Sequence, residues 1–230
     1  MMHGLFITGT DTGVGKTYTT LHLLDAARSA GISVAAMKPV ETGCRKRGRH
    51  LVPSDAVLLA KAAGMDCVDT VNPSRFKTPA APYTAGIIEG RTVDLNTIRR
   101  TYRGLARDYG LVIVEGAGGL LVPITRTFFY ADLAREFSLP VLVVAANKLG
   151  AINHVLLTVA SIEARGLTLC GVVLNNLSPK NDAAKKTNAG TLSALLGRRF
   201  LGELSFHQPG RDARLFRKIL GSCTSERNTL

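Results

Sequence analysis

The residues Gly9-Thr10-Asp11-Thr12-Gly13-Val14-Gly15-Lys16-Thr17 end in the Gly-Lys-Thr of a phosphate-binding loop. Gly13 and Gly15 carry no side chains, so successive backbone N–H groups can curl around a polyphosphate. Lys16 reaches the terminal phosphates, and the Thr17 hydroxyl belongs in the shell of a Mg²⁺ ion. The usual spacing puts the first glycine at position 10, but here that residue is Thr10 and the glycine is Gly9.

Mg²⁺ takes its oxygens from one or two carboxylates together with substrate phosphates and waters. Two acids qualify. Glu115 ends the apolar run Leu-Val-Ile-Val and is followed by Gly116, Ala117, Gly118 and Gly119, a second place where backbone can approach a phosphate. A charge closing so apolar a strand is hard to explain by structure alone. Asp55, beside Ser54, opens a predicted helix and is either its cap or a metal ligand. Lys38 and Lys148 each lie just past a predicted strand, so with Lys16 they place three ammonium groups toward one crevice. Such a cluster stabilises a transferring phosphoryl group.

The elements that must hold these groups follow from periodicity. Apolar strands at 4–8, 33–37, 111–115, 140–146, 169–174 and 200–204 alternate with helices at 16–30, 54–63, 94–108, 130–137, 151–165, 183–196 and 211–220. That alternation predicts a doubly wound α/β fold with a mostly parallel sheet, in one domain over 1–220, and a frayed tail over 221–230. The proline-rich stretch 72–92 reads as a long irregular connection over a site.

A chain of 230 residues, 46% hydrophobic, can bury one continuous core. Cys44, Cys67, Cys170 and Cys223 are scattered without a C-x-x-C pair, so neither a zinc site nor a redox dithiol is expected, and a reducing cytoplasmic setting is. The N-terminus lacks the basic start and long apolar core of a signal peptide, and the longest apolar run, 139–146, is too short to span a membrane. The net charge of +12 gathers in short clusters, among them Cys44-Arg45-Lys46-Arg47-Gly48-Arg49-His50. No aromatic residues interleave regularly with them and no nucleic-acid module accompanies them, so solvated faces are expected instead of a nucleic-acid partner.

The glycine offset fits the template K-G-G-x-G-K-[ST] of partition and septum-positioning ATPases, with Asp11 in place of that subclass's signature lysine. That lysine crosses to a partner's nucleotide, so its absence argues against a nucleotide-clamped switch. The ordered set GTDTGVGKT, KPVETG, SDA, VEGAGG, NKLGAINH and VVLNNLSP, between about residues 5 and 207, closely resembles dethiobiotin synthetase. The resemblance implies an ATP- and Mg²⁺-dependent ligase that carboxylates 7,8-diaminononanoate with CO₂ and closes its ring, through a carbamate and a carbamic-phosphoric anhydride.

Carried onto this chain, it implies that Gly13, Val14, Gly15, Lys16, Thr17 and Tyr18 bind the nucleotide, with Gly116, Ala117 and Gly118 along it. Asn175, Asn176, Ser205, Phe206 and His207 would complete the base and ribose pocket. Thr17, Asp55 and Glu115 would hold Mg²⁺, while Lys38, Lys16 and Lys148 would be catalytic. Thr12 and Thr42 would meet the diamine, and Gly150, Ala151 and Asn153 would take the substrate carboxylate across a homodimer interface, although Asn153 also suits an ordinary helix start. Two departures stand out: Gly13 replaces a frequent acid, and Ser205 replaces the usual proline. A partition-type ATPase that binds DNA or a partner protein is the alternative reading. The synthetase half of a cobyrinate amidase is a third, for which the chain lacks room for a glutaminase domain.

Overall fold

Alternation within the first strand already divides the core. In β1 (Gly4–Gly9), Leu5 and Ile7 pack on one side and Phe6 on the other. The computed structural model describes residues 4–180 and 182–224. Its main sheet also contains β2 (Val34–Met37), β7 (Leu111–Gly119), β8 (Val141–Ala146), β9 (Leu169–Asn175) and β10 (Phe200–Leu204). These strands are all parallel, in the order β10-β9-β8-β1-β7-β2. The near absence of polar residues within them follows from cover on both faces.

One face packs on α1 (Lys16–Ser29), α2 (Ser54–Ala63) and α9 (Pro209–Thr224), through Leu23, Leu24, Leu59 and Phe216. The other packs on α5 (Leu95–Asp108), α6 (Tyr130–Glu136), α7 (Ala151–Ala164) and α8 (Ala183–Leu196), through Ile98, Tyr130, Val155 and Leu192. α9 continues through Thr224, and 225–230 of the expected tail lie outside the described residues.

Two readings change, and the basic cluster, exposed as expected, takes a defined form. The stretch 72–92 is not irregular throughout, since it holds β6 (Ser74–Arg75) and α4 (Pro82–Ile88). Pro82 sits in the first turn of α4, where a missing N–H costs nothing, so the proline that suggested a loop starts a helix. The basic cluster forms an exposed hairpin, β4 (Arg45–Arg47) against β5 (His50–Val52), following β3 (Val40–Glu41), which pairs with β6. Finally, Cys44 and Cys67 are free but Cys170 is disulfide-bonded, because sequence spacing does not report which thiols a parallel sheet and its helices bring together. α3 (Val68–Val71) completes the connection from α2.

Candidate active site

The carboxyl ends of β1, β2 and β7 meet where the strand order changes direction, the place where open α/β sheets bind ligands. Gly9 closes β1, and its position answers the offset in the loop. A Cβ there would lie 2.7 Å from the Asp11 carbonyl, 2.8 Å from Val14 and 2.9 Å from Lys16 Nζ. Lys16 folds back over the loop and donates to that carbonyl at 3.1 Å, so the glycine is needed where the lysine passes, one residue earlier than usual. Gly15 has φ 92 and lies against Asn175, whose Nδ2 donates to the Val14 carbonyl at 3.0 Å. This contact joins the loop to the end of β9.

Behind the loop lies a charged cluster in which Lys38 and Glu115 are almost free of solvent while the Asp55 side chain is 39% exposed. Lys38 follows β2 and is 4% exposed; its Nζ lies 2.6 Å from Asp55 Oδ2 and 2.6 Å from Glu115 Oε1. Glu115 is fully buried and also accepts from Thr17 Oγ1 at 2.8 Å and Thr20 Oγ1 at 2.6 Å. Burial works against the charge on Lys38, but the Glu115 and Asp55 carboxylates outweigh it and hold the pKa above its ordinary value. Lys16 shows the opposite balance. Burial lowers its pKa to about 8, with Glu115 opposing the shift and Lys38 adding to it.

The two readings of Asp55 separate here. Its side chain reaches Lys38, while the first turn of α2 is held by Glu41. Glu41 is buried and accepts from the Asp55 N–H at 3.0 Å, the Ala56 N–H at 2.9 Å and Ser54 Oγ at 3.4 Å. Sequence reasoning missed it, because its partners are backbone N–H groups that no side-chain pattern reports.

The donor set Thr17, Asp55 and Glu115 consists only of hard oxygens, which suits Mg²⁺. A cation, the Lys38 ammonium, already bridges the two carboxylates, so the position tolerates positive charge. Among the described residues no group of three or more His, Cys, Asp or Glu side chains could hold a metal. A Mg²⁺ here therefore needs phosphate or water oxygens as well, its usual manner of binding.

On the β9 side, Asn176 Nδ2 donates to the Leu204 carbonyl at 3.0 Å, and Ser205 is tied to buried Asp212 through its N–H and its Oγ, at 2.9 and 3.0 Å. Phe206 and His207 pack edge to face beyond it, and Tyr18 faces the His207 ring with its hydroxyl buried and unpartnered. On the other side, Thr12, Gly118 and Gly119 line a cavity of 390 Å³ with Leu121, Leu157 and Thr158. Gly118 thus faces Thr12, while Gly116 is buried behind it and Ala117 is half-buried. Thr42 follows Glu41 and is half-buried. Gly150 caps α7 in a left-handed conformation with no side-chain cap, ahead of buried Ala151 and exposed Asn153.

Among the described residues Lys148 makes no hydrogen bond or ion pair with the Lys38 cluster. It is exposed, and its carbonyl is held by Asn188 at 3.0 Å. β8, which Lys148 follows, is the direct neighbour of β1, the strand that leads into the Lys16 loop.

Comparison with known proteins adds a family context. Residues 3–210 match the family model described as AAA domain. The chain is 44% identical over 227 residues to the ATP-dependent dethiobiotin synthetase BioD of Anaeromyxobacter sp. (strain K), covering 96% of this chain and 98% of that protein. It is 42% identical to the protein of that name from Aquifex aeolicus (strain VF5), over 84% of each chain. Among solved structures, the plasmid partition protein of Borrelia burgdorferi B31 bound to AMPPNP superposes with a TM-score of 0.58 over 95% of this chain and 96% of that one. At 14% identity that likeness shows a shared fold, a single P-loop NTPase-like domain. No helix among the described residues is long and apolar enough to cross a membrane.

Proposed function

Since this chain belongs to the dethiobiotin synthetase family of ATP-dependent ligases in biotin biosynthesis, we propose that it joins CO₂ to 7,8-diaminononanoate and closes the ureido ring, splitting ATP into ADP and phosphate. The observation that carries this reading is the buried Lys38 ammonium, bound to Asp55 and Glu115 beside the phosphate-loop residues Lys16 and Thr17. Carbamate and triphosphate are both anions, and bringing them within reaction distance requires fixed positive charge in a water-poor place.

One substrate amine takes up CO₂ as a carbamate. A carbamate oxygen attacks the γ-phosphorus, ADP leaves, and a carbamic-phosphoric anhydride remains. The second amine attacks the carbonyl carbon, the carbon–oxygen bond breaks, and phosphate departs with that oxygen. Lys38 stabilises the carbamate and the transferring phosphoryl group, and Lys16 holds the γ-phosphate. Mg²⁺, held by Thr17, Asp55 and Glu115, would offset the charge on the phosphates. Thr12 and Thr42 flank the diamine, and Lys148 adds charge from the rim.

The base lies toward Asn175, Asn176 and Ser205 to His207, next to Tyr18, whose unpartnered hydroxyl is a group that a bound ligand can satisfy. The protein works as a homodimer, with the substrate carboxylate at the Gly150–Ala151–Asn153 helix start of the other subunit. Leu149 at 86% exposure, with exposed Leu121 and Leu157, supports an apolar face that a second copy covers. A cytoplasmic setting completes the reading, with the Cys170 disulfide counting against it. Dethiobiotin formation from diaminononanoate, CO₂ and MgATP tests it, with Lys38→Ala as control. Folded protein without product, or a variant as fast as the wild type, contradicts it.

A further inference from the structure

Helix α2 begins in an unusual way. Its N-cap is Pro53, which makes no side-chain cap, and no residue of its own first turn satisfies the free N–H groups of Asp55 and Ala56. Such groups must find partners when buried. They find Glu41, which lies more than a dozen residues earlier on β3, and one carboxylate oxygen takes each N–H. Glu41 is itself 4% exposed, so the arrangement is dry and each bond is charge-assisted.

The geometry of this clamp bears directly on the site. Val40 and Glu41 follow Lys38 with one proline between them, while Asp55 is the residue whose N–H Glu41 holds and whose carboxylate meets Lys38 Nζ. Backbone bonds fix the near end of the clamp. Lys38 N–H donates to the Val71 carbonyl, Asn72 Nδ2 donates to the Lys38 carbonyl, and Phe76 N–H donates to the Glu41 carbonyl, at 2.7, 2.7 and 2.8 Å. Glu41 therefore ties the start of α2 to the same short segment that carries Lys38. A local cap, such as an Asp at position 53, would satisfy the same N–H groups without linking α2 to that segment.

We propose that Glu41 is a positioning residue that sets the distance between Asp55 and the Lys38–Glu115 pair, and so the affinity of the site for Mg²⁺ with nucleotide. Asp55 as a metal ligand rests on the ligase reading given above. Groups that orient metal ligands typically contribute about 10- to 100-fold in metal affinity.

The test uses the full-length chain and four forms: wild type, Glu41→Ala, Glu41→Gln, and Glu41→Ala combined with Pro53→Asp. ADP binding is followed by calorimetry at several Mg²⁺ concentrations, unfolding by heat, and turnover at limiting and saturating Mg²⁺. Glu41→Ala should raise half-saturating Mg²⁺ at least tenfold while turnover at saturating Mg²⁺ stays within about threefold. Glu41→Gln, with one acceptor in place of two, should fall between it and the wild type, and it serves as the reporter if the alanine form does not fold. Adding Pro53→Asp should recover thermal stability but not Mg²⁺ affinity. Unchanged half-saturating Mg²⁺ in the Glu41 variants overturns the proposal, as does full recovery of Mg²⁺ affinity by the local cap. A wild type that binds MgADP without making dethiobiotin refutes the ligase reading, and the binding arm still decides the role of Glu41.

Discussion

Lys38 Nζ and Glu115 Oε1 lie 2.6 Å apart, with side chains 5% and 0% exposed. A buried pair of this kind is costly to break from one side, because the remaining charge has no water to turn to. Lys38→Met should therefore destabilise the protein by about 3–5 kcal/mol, measured by denaturant unfolding. MgADP should restore more stability to this variant than it adds to the wild type, since the ion would supply the missing positive charge. Equal stabilisation of both would count against Asp55 and Glu115 as its ligands.

Lys16 gives a pH dependence of definite sign. Its pKa falls from 10.5 to about 8 in the folded protein, mainly through burial. Between those values the unfolded chain holds more protons, so this group makes stability rise with pH across that window and leaves its full penalty in place below it. Phosphate oxygens favour the charged form, so MgADP binding at about pH 9 should take up a proton. Calorimetry in buffers of different ionisation heat measures the uptake. Lys16→Gln should abolish it, and equal enthalpies in all buffers for the wild type would contradict it.

The lysine pair also shows what the sequence discloses and what it hides. Lys16, Lys38 and Glu115 were legible because each is a charge at the end of an apolar strand or in a glycine loop, positions that a parallel sheet brings to one edge. Lys148 satisfied the same rule, yet it is exposed where Lys16 and Lys38 are buried. The rule fixes the edge of the sheet but not the burial of the side chain, and Lys148 follows β8, the direct neighbour of β1. Glu41 was hidden because its partners are backbone N–H groups of a helix that begins beyond an intervening hairpin. No side-chain pattern reports such a contact. Helix α4 was hidden for a local reason, since a proline in a first helical turn looks like a loop proline.

The contact between Gly15 and Asn175 predicts a coupled effect. A Cβ at position 15 would lie 1.9 Å from Asn175 Nδ2, at a φ of 92. Gly15→Ala should cost about 1–3 kcal/mol in stability and weaken ADP binding. Combining it with Asn175→Ala should return part of the loss, because the steric partner is gone. Strict additivity in a double-mutant cycle would show that the two residues do not communicate.

Leu149, at 86% exposure ahead of the Gly150 cap, tests the homodimer. Leu149→Glu should yield monomers in analytical ultracentrifugation and reduce turnover more than ADP affinity, because the residues proposed to bind the nucleotide all belong to one chain. A wild type that sediments as a monomer while fully active would remove the partner from the substrate site.

In the proposed reaction a carbamate oxygen attacks the γ-phosphorus beside Lys16 and Lys38, a step that would leave an atomic trace. When the reaction is started with C¹⁸O₂ in ordinary water and stopped before the CO₂ exchanges its oxygen, each phosphate released should carry one ¹⁸O, read by mass spectrometry together with dethiobiotin formed in equal amount. Unlabelled phosphate accompanying dethiobiotin would mean that water, not the carbamate, receives the phosphoryl group, and would contradict the reaction assigned to this site.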